Sequence, residues 1–254
     1  MRSVKLPKNI LMSSALVFLC SCAAFAPKLD KERAKQVRKV AILSFEIIQA
    51  QPKDALGLSQ IGSMERRSDS KPFKDMAEAI YKDLSKAIQT STGWEAIGLS
   101  QLRNSDRYAK LYQQKMTGLR MTSIVPENSE IVFVNGVLDN ANFRRLDFKD
   151  KVALAKSVGA DAFAEYVGFQ RIDQGFSIGN LVGEAEFSFI TRSNLMVYGF
   201  DSEEPVWRIQ NIDGPSSEKS GTLPKEVKIL GRLSTLGRES AKNSIEKLVK
   251  NYSL

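Results

Sequence analysis

Apolar residues along the chain fall into short runs and helical repeats that predict alternating strands and helices. The run Val40–Phe45 is apolar and rich in β-branched residues, which predicts a buried strand opening a folded domain near Arg38. Apolar residues then recur at helical spacing between Phe73 and Ile88. Ser70 is the predicted N-cap of this helix, and Pro72 fits its first turn.

The rest of the pattern predicts a mixed β-sheet flanked by helices. The further predicted elements are a strand at Trp94–Gly98 after Gly93, a polar helix at Ser100–Lys115, a helix at Phe148–Val158 ending at Gly159, strands at Ala160–Ile172, Glu184–Tyr198 and Val206–Ile212, and a helix at Leu233–Tyr252. The last three strands are expected to form an antiparallel meander. The predicted fold class is therefore α/β or α+β, a two-layer or three-layer sandwich, in a single domain spanning 38–254.

Two segments have no clear assignment. Residues Ile48–Lys71 are rich in polar and small residues, which predicts a long loop. Residues Met116–Asn142 contain the apolar run Ile131–Val134, which fits either a strand or a buried helix. Glycines at 175, 179 and 183 predict a further loop.

The N-terminus has the pattern of an export signal. Met1–Lys8 is positively charged, and Ile10–Leu19 is an apolar stretch too short to span a bilayer as a helix. Residues 1–21 are therefore a predicted signal peptide. Residues 22–37 are polar and charged, and they are a predicted tether between this signal and the folded domain.

The signal ends in Leu19-Cys20-Ser21-Cys22, which resembles the cleavage sequence of bacterial lipoproteins. That resemblance implies cleavage before Cys22, acylation of its thiol and anchoring in a lipid bilayer. Ala23 resembles the sorting signal for the outer membrane in enteric bacteria, so the domain is expected to face the periplasm.

Two alternatives to acylation remain open. Ala24-Phe25-Ala26 is a possible site for ordinary signal peptidase, although Pro27 disfavours cleavage there. A disulfide between Cys20 and Cys22 would close a strained ring.

Charge and composition exclude some functions. Removal of residues 1–21 lowers the formal net charge from +8 to +5, and the basic residues are interleaved with acidic ones. This pattern predicts no nucleic-acid partner.

The chain offers few groups for catalysis. It has no histidine, which excludes Ser-His-Asp and Cys-His nucleophiles and His-ligated zinc. Asp139, Asp147, Asp161 and Asp173 do not have the spacing of a calcium loop, and Asp161 is expected to make a turn hydrogen bond. The sequence therefore predicts a protein that is not an enzyme and that has no catalytic residues, metal site or cofactor.

Three segments together resemble the TolB N-terminal-like and CsgG-like domains of envelope lipoproteins. These segments are the strand Lys39–Phe45, the helix-to-strand join Ala155–Ala162, and the hairpin Leu195–Trp207. The resemblance implies a non-catalytic envelope domain that binds a protein partner in assembly, secretion or regulation, as CsgG and LpoB-type proteins do.

Two other functions remain open. Alternation along Glu184–Tyr198 would suit a strand of an oligomeric, CsgG-like pore, and it would equally suit a sheet with one buried face. Trp94, Trp207 and the long loop would suit a module that binds cell-wall fragments or another small ligand.

Overall fold

The computed structural model describes residues 28–53, 71–117, 129–175, 186–213, 219–220 and 226–252. The strands are β1 (Lys28–Leu29), β2 (Lys39–Lys53), β3 (Glu95–Ala96), β4 (Ser129–Phe133), β5 (Ala162–Gly175), β6 (Glu186–Tyr198), β7 (Trp207–Asp213) and β8 (Lys219–Ser220). The helices are α1 (Lys31–Ala34), α2 (Lys71–Thr92), α3 (Leu99–Arg103), α4 (Asp106–Thr117), α5 (Asn140–Arg144), α6 (Phe148–Ser157) and α7 (Glu226–Tyr252). The predicted signal peptide, Cys22, Ser70, Gly179 and Gly183 lie outside the described residues.

The strands form one mixed sheet in the order β1-β7-β6-β5-β2-β3. β2 runs parallel to β5 and β3, whereas β5, β6 and β7 form the predicted antiparallel meander. β4 pairs with β2 and β8 pairs with β6. Helices flank this sheet, so the predicted α/β fold with a mixed sheet is confirmed.

One face of the sheet, here called the α2/α7 face, is covered by the two long helices. Phe45 and Tyr166 stack across β2 and β5 with ring centroids 5.0 Å apart, and Tyr81 of α2 lies edge-on to Phe45 at 5.5 Å. Helix α7 crosses so close that a Cβ on Gly237 would lie 2.6 Å from Ile80 Cδ1 of α2. Only glycine fits this crossing without a shift of its neighbours.

The opposite face, here called the α4–α6 face, is covered by shorter helices. Phe163 of β5 lies 5.9 Å, centroid to centroid, from both Phe143 of α5 and Phe148 of α6. Tyr108 fixes α4 to the sheet, because its hydroxyl donates to the Leu43 carbonyl at 2.6 Å and accepts from the Leu138 N–H at 2.9 Å.

The ends of the helices explain why one sequence prediction is confirmed and another is wrong. Gly159 ends α6 as predicted, with φ of +77°, and the Ala160 N–H donates to the Ala155 carbonyl at 3.0 Å. The predicted continuous helix over Ser100–Lys115 is wrong, because α3 ends at a cap on Asn104 and α4 begins at Asp106. The Ser105 hydroxyl accepts from the Tyr108 N–H, so local capping competes with helix continuation.

The predicted tether over 22–37 is also wrong in its second half. Leu29 pairs with Trp207, and the Asp30 carboxylate caps α1 by accepting from the Arg33 N–H at 3.2 Å. Ala34 and Val37 are buried. The folded domain therefore includes the residues from Lys28 onward and does not begin near Arg38, because the few apolar residues among these charges face the core.

The predicted loop over Ile48–Lys71 is wrong at its start, since β2 continues to Lys53. Two strands pair with this extension, β4 through Ile48 to Ala50 and β5 through Ile48 to Ala50 and Lys53. Gln49 is buried despite its polarity. The open assignment of Ile131–Val134 is settled in favour of strand β4, which is a further partner of β2.

Candidate functional site

The four aspartates singled out in the sequence occupy separate positions in the fold and do not form a joint site. The Asp161 carboxylate accepts from the backbone N–H groups of Arg38 at 3.1 Å and Lys39 at 2.9 Å, which joins the starts of β5 and β2. Asp139 is the N-cap of α5, Asp147 occupies the N-cap position of α6, and Asp173 lies within β5. Within the described ranges, no group of three or more acidic, His or Cys side chains is arranged to hold a metal ion.

The two tryptophans do not form a binding platform. Trp94 is 5% exposed and Trp207 is fully buried, and their rings meet edge-to-face with centroids 5.6 Å apart. A sugar ring needs an exposed aromatic face, so the predicted ligand-binding role of this pair is wrong. Both rings are part of the core beside β1.

The alternation along β6 reflects a face buried within the domain over the part that the structure describes fully. Phe189, Thr191, Leu195 and Val197 are all buried. The Thr191 hydroxyl donates to the Leu236 carbonyl of α7 at 3.4 Å, so this face lies beneath α7.

A cluster of buried polar side chains lies on the α4–α6 face. Glu46 of β2 and Glu165 of β5 are 2% and 4% exposed, and the parallel pairing of their strands places both on the same face. Asn140 connects them, because its backbone N–H donates to Glu46 Oε2 at 2.9 Å and its side-chain amide donates to Glu165 Oε2 at 3.2 Å. Tyr198 Oη donates to Glu165 Oε1 at 2.8 Å.

Burial changes the protonation of this cluster. Desolvation raises the pKa of Glu46 to about 7, and the neighbouring charges of Asp139 and Glu165 add to the rise, while the hydrogen bond from Asn140 opposes it. Burial also raises the pKa of Tyr198 well above its ordinary value, and the adjacent Glu165 adds to this rise. Glu46 thus exchanges a proton near neutral pH without being accessible to a substrate.

A groove opens on the outside of the same face, between α4 and α6. It encloses about 220 Å³. Leu111, Leu146 and Leu154 form its apolar floor, and Arg107 and Lys110 stand on its α4 rim. We call it the α4/α6 groove.

The sequence predicted neither the polar cluster nor the groove. Glu46 and Glu165 are single acids at the end of or inside apolar strands, which is a visible signal, but only the pairing of β2 with β5 brings them together. Leu146, Asp150 and Leu154 recur every four residues, yet the same spacing describes any half-buried helix.

Comparisons with known proteins identify no family for this chain. No protein-family model matches the chain, and no curated protein matches it. Among solved structures, the chain is similar to the crystal structure of lipoprotein GNA1162 from Neisseria meningitidis, with a TM-score of 0.32 and 11% sequence identity over 85% of this chain and 99% of that one. A similarity this weak establishes neither a family nor a function, and the grouping with CsgG-like domains stays a prediction. No helix within the described ranges has the length and apolar character needed to cross a membrane.

Proposed function

We propose that this protein is a non-catalytic lipoprotein, anchored in the outer membrane through an acylated Cys22, whose periplasm-facing domain binds a protein partner in envelope assembly, secretion or regulation. The observation that carries this proposal is the short distance along the chain between the lipoprotein cleavage sequence and the fold. Strand β1 begins at Lys28, six residues after Cys22. Six extended residues span at most about 22 Å, so an acyl chain on Cys22 would hold the β1 edge of the sheet near the bilayer surface.

The sheet then separates the anchored edge from the α4/α6 groove. β1 lies at one edge, and β2, to which Tyr108 fixes α4, lies four strands away. Measured along the sheet, four strand spacings amount to about 19 Å. We expect a domain anchored at β1 to leave the groove accessible to a partner in the periplasm.

Mass spectrometry of the mature N-terminus, isolated from membranes, tests the anchor. We expect a diacylglyceryl-modified Cys22 at the N-terminus, and we expect Cys22→Ala to lose both the modification and membrane retention. An unmodified N-terminus at Pro27, or an uncut chain beginning at Met1, would overturn the proposed anchor.

Chemical crosslinking in intact cells tests partner binding. We expect the wild-type protein to give a discrete crosslinked species containing one other envelope protein, and the Cys22→Ala variant to give less of it. Recovery of the uncrosslinked protein alone would contradict the proposal.

A further inference from the structure

Two cations on the α4 rim of the α4/α6 groove have no acidic partner among the residues that the structure describes. Arg107 and Lys110 are exposed, and neither makes an ion pair within the part of the chain that the structure describes. Arg103 of the neighbouring helix differs, since its guanidinium contacts Glu78 Oε1 at 2.6 Å. The α4 rim of the groove thus presents two cations without ion pairs among the described residues, beside an apolar floor and opposite Asp150.

The helices around the groove are basic as a group. Within 106–117 and 140–157, the basic residues are Arg107, Lys110, Lys115, Arg144, Arg145, Lys149, Lys151 and Lys156, and the acidic residues are Asp106, Asp147 and Asp150. These helices therefore carry a net charge of +5, which equals the net charge of the whole chain after removal of residues 1–21. Asp139 at the N-cap of α5, and Glu165, which pairs with Arg144 at 3.5 Å, offset part of this charge. The remaining excess would attract an acidic partner to this side of the domain.

The floor of the groove is preformed. Leu154 is buried, while Leu111 and Leu146 are half-buried and pack at the edge of the core. Tyr108, one turn before Leu111, holds α4 in place, because its hydroxyl donates to the Leu43 carbonyl of β2 and accepts from the Leu138 N–H. A partner would not need to order α4 before binding, which lowers the entropic cost of association.

We propose that the α4/α6 groove binds an acidic segment of a partner protein that inserts an apolar side chain between α4 and α6 and places carboxylates against Arg107 and Lys110. The volume of about 220 Å³ accommodates one or two such side chains. Asp150 stands on the opposite rim, so the carboxylates of the segment must lie on the α4 side. This inference rests on the proposed partner-binding function and assigns a surface to it.

A defined peptide tests the site with the mature lipidated protein in detergent. The probe is fluorescently labelled Asp-Glu-Leu-Phe-Asp-Glu, blocked at both ends, and the matched control peptide is Asn-Gln-Leu-Phe-Asn-Gln. Fluorescence anisotropy should show binding of the acidic peptide that weakens with added salt, because exposed charges contribute to it. The neutral peptide should bind at least about tenfold more weakly.

Variants then locate the binding. The double variant Arg107→Glu/Lys110→Glu should weaken binding of the acidic peptide by about tenfold or more. The matched control Lys86→Glu/Lys250→Glu makes the same change in charge at exposed positions of α2 and α7 and should leave binding unchanged. Gln114→Trp should also weaken binding, because a large side chain on the rim would fill the groove without changing its charge.

Several outcomes would overturn the inference. These are absence of peptide binding, equal binding of the acidic and neutral peptides, equal effects of the two double variants, and binding of phosphatidylglycerol vesicles through Arg107 and Lys110 in place of the peptide. Failure of the proposed function is distinguishable, since it would leave no crosslinked partner in cells. A partner that crosslinks equally to wild type and to Arg107→Glu/Lys110→Glu would retain the function and exclude this groove.

Discussion

The two faces of the sheet are built from different chemistry. The α2/α7 face joins β2, β5 and β6 to long helices through aromatic stacking and aliphatic packing. The α4–α6 face buries Glu46 and Glu165 with an amide and a phenol around them. Apolar burial stabilises a fold, whereas buried carboxylates lower its stability unless they are well compensated. Phe143, Phe148 and Phe163 also pack apolar surface on the α4–α6 face, but the two buried carboxylates there oppose stability. We therefore expect the α2/α7 face to contribute more to the stability of the domain.

The largest loss of stability should come from truncating a side chain at the centre of the α2/α7 face. Phe45→Ala removes a ring that contacts both Tyr166 and Tyr81, and it should lower the free energy of unfolding by about 3–5 kcal/mol. Urea denaturation of the full chain measures this, with Phe45→Leu as a control that should lose much less. A loss below about 1 kcal/mol for Phe45→Ala would show that this face is not the stabilising one.

The next largest effect is the dependence of stability on pH that Glu46 causes. Because the pKa of Glu46 is raised from 4.5 to about 7 in the folded state, the folded protein holds this proton more tightly than the unfolded chain does. The contribution of Glu46 to the free energy of unfolding should therefore be largest below pH 4.5. It should fall by about 3 kcal/mol at most as the pH rises from 4.5 to about 7.

Substitution separates Glu46 from other titrating groups. Glu46→Gln keeps an acceptor for the Asn140 N–H and removes the proton exchange, so its free energy of unfolding should change less between pH 5 and pH 8. The control Glu239→Gln alters an exposed carboxylate and should follow the wild type. An identical pH dependence in Glu46→Gln and wild type would contradict the assignment.

A smaller effect should follow from a hydroxyl chain inside the α2/α7 face. Ser193 Oγ lies 2.9 Å from both Tyr166 Oη and Ser240 Oγ, which connects β5, β6 and α7. Ser193→Ala would leave two buried hydroxyls unpartnered and should cost about 1–3 kcal/mol in thermal or urea unfolding. Ser85→Ala removes only a hydrogen bond from a side chain to a backbone carbonyl within α2, so it should have little effect on stability. A loss comparable to that of Ser193→Ala would argue against a stabilising role of the hydroxyl chain.

The smallest effect on stability should come from the groove. Arg107→Glu/Lys110→Glu changes exposed side chains without ion pairs among the described residues, and it should shift the free energy of unfolding by less than about 0.5 kcal/mol. Unchanged unfolding together with lost peptide binding would mark a surface used for recognition. A large destabilisation would instead assign these cations to the fold.

The α2/α7 face and the α4–α6 face differ in how far the sequence alone predicts them. The α2/α7 face was largely predictable, because the apolar run of β2, the helical spacing in α2 and α7 and the alternation of β6 each depend on local periodicity. The extension of β2 through Gln49 was not predictable, since its burial depends on β4 and β5 and not on its own polarity. Glu46 and Glu165 are visible in the sequence as single acids in apolar strands, but their meeting through Asn140 joins three distant segments and was not predictable.

The most direct test of the account compares the two faces in living cells. A photo-crosslinking amino acid is placed at Gln114 on the groove rim, and separately at Lys86 on the outer surface of α2, in the lipidated protein. We expect a discrete crosslink to an envelope protein from Gln114, abolished by Arg107→Glu/Lys110→Glu, and none from Lys86. A crosslink from Lys86 alone, or the same partner captured from both positions, would contradict the assignment of partner binding to the α4–α6 face.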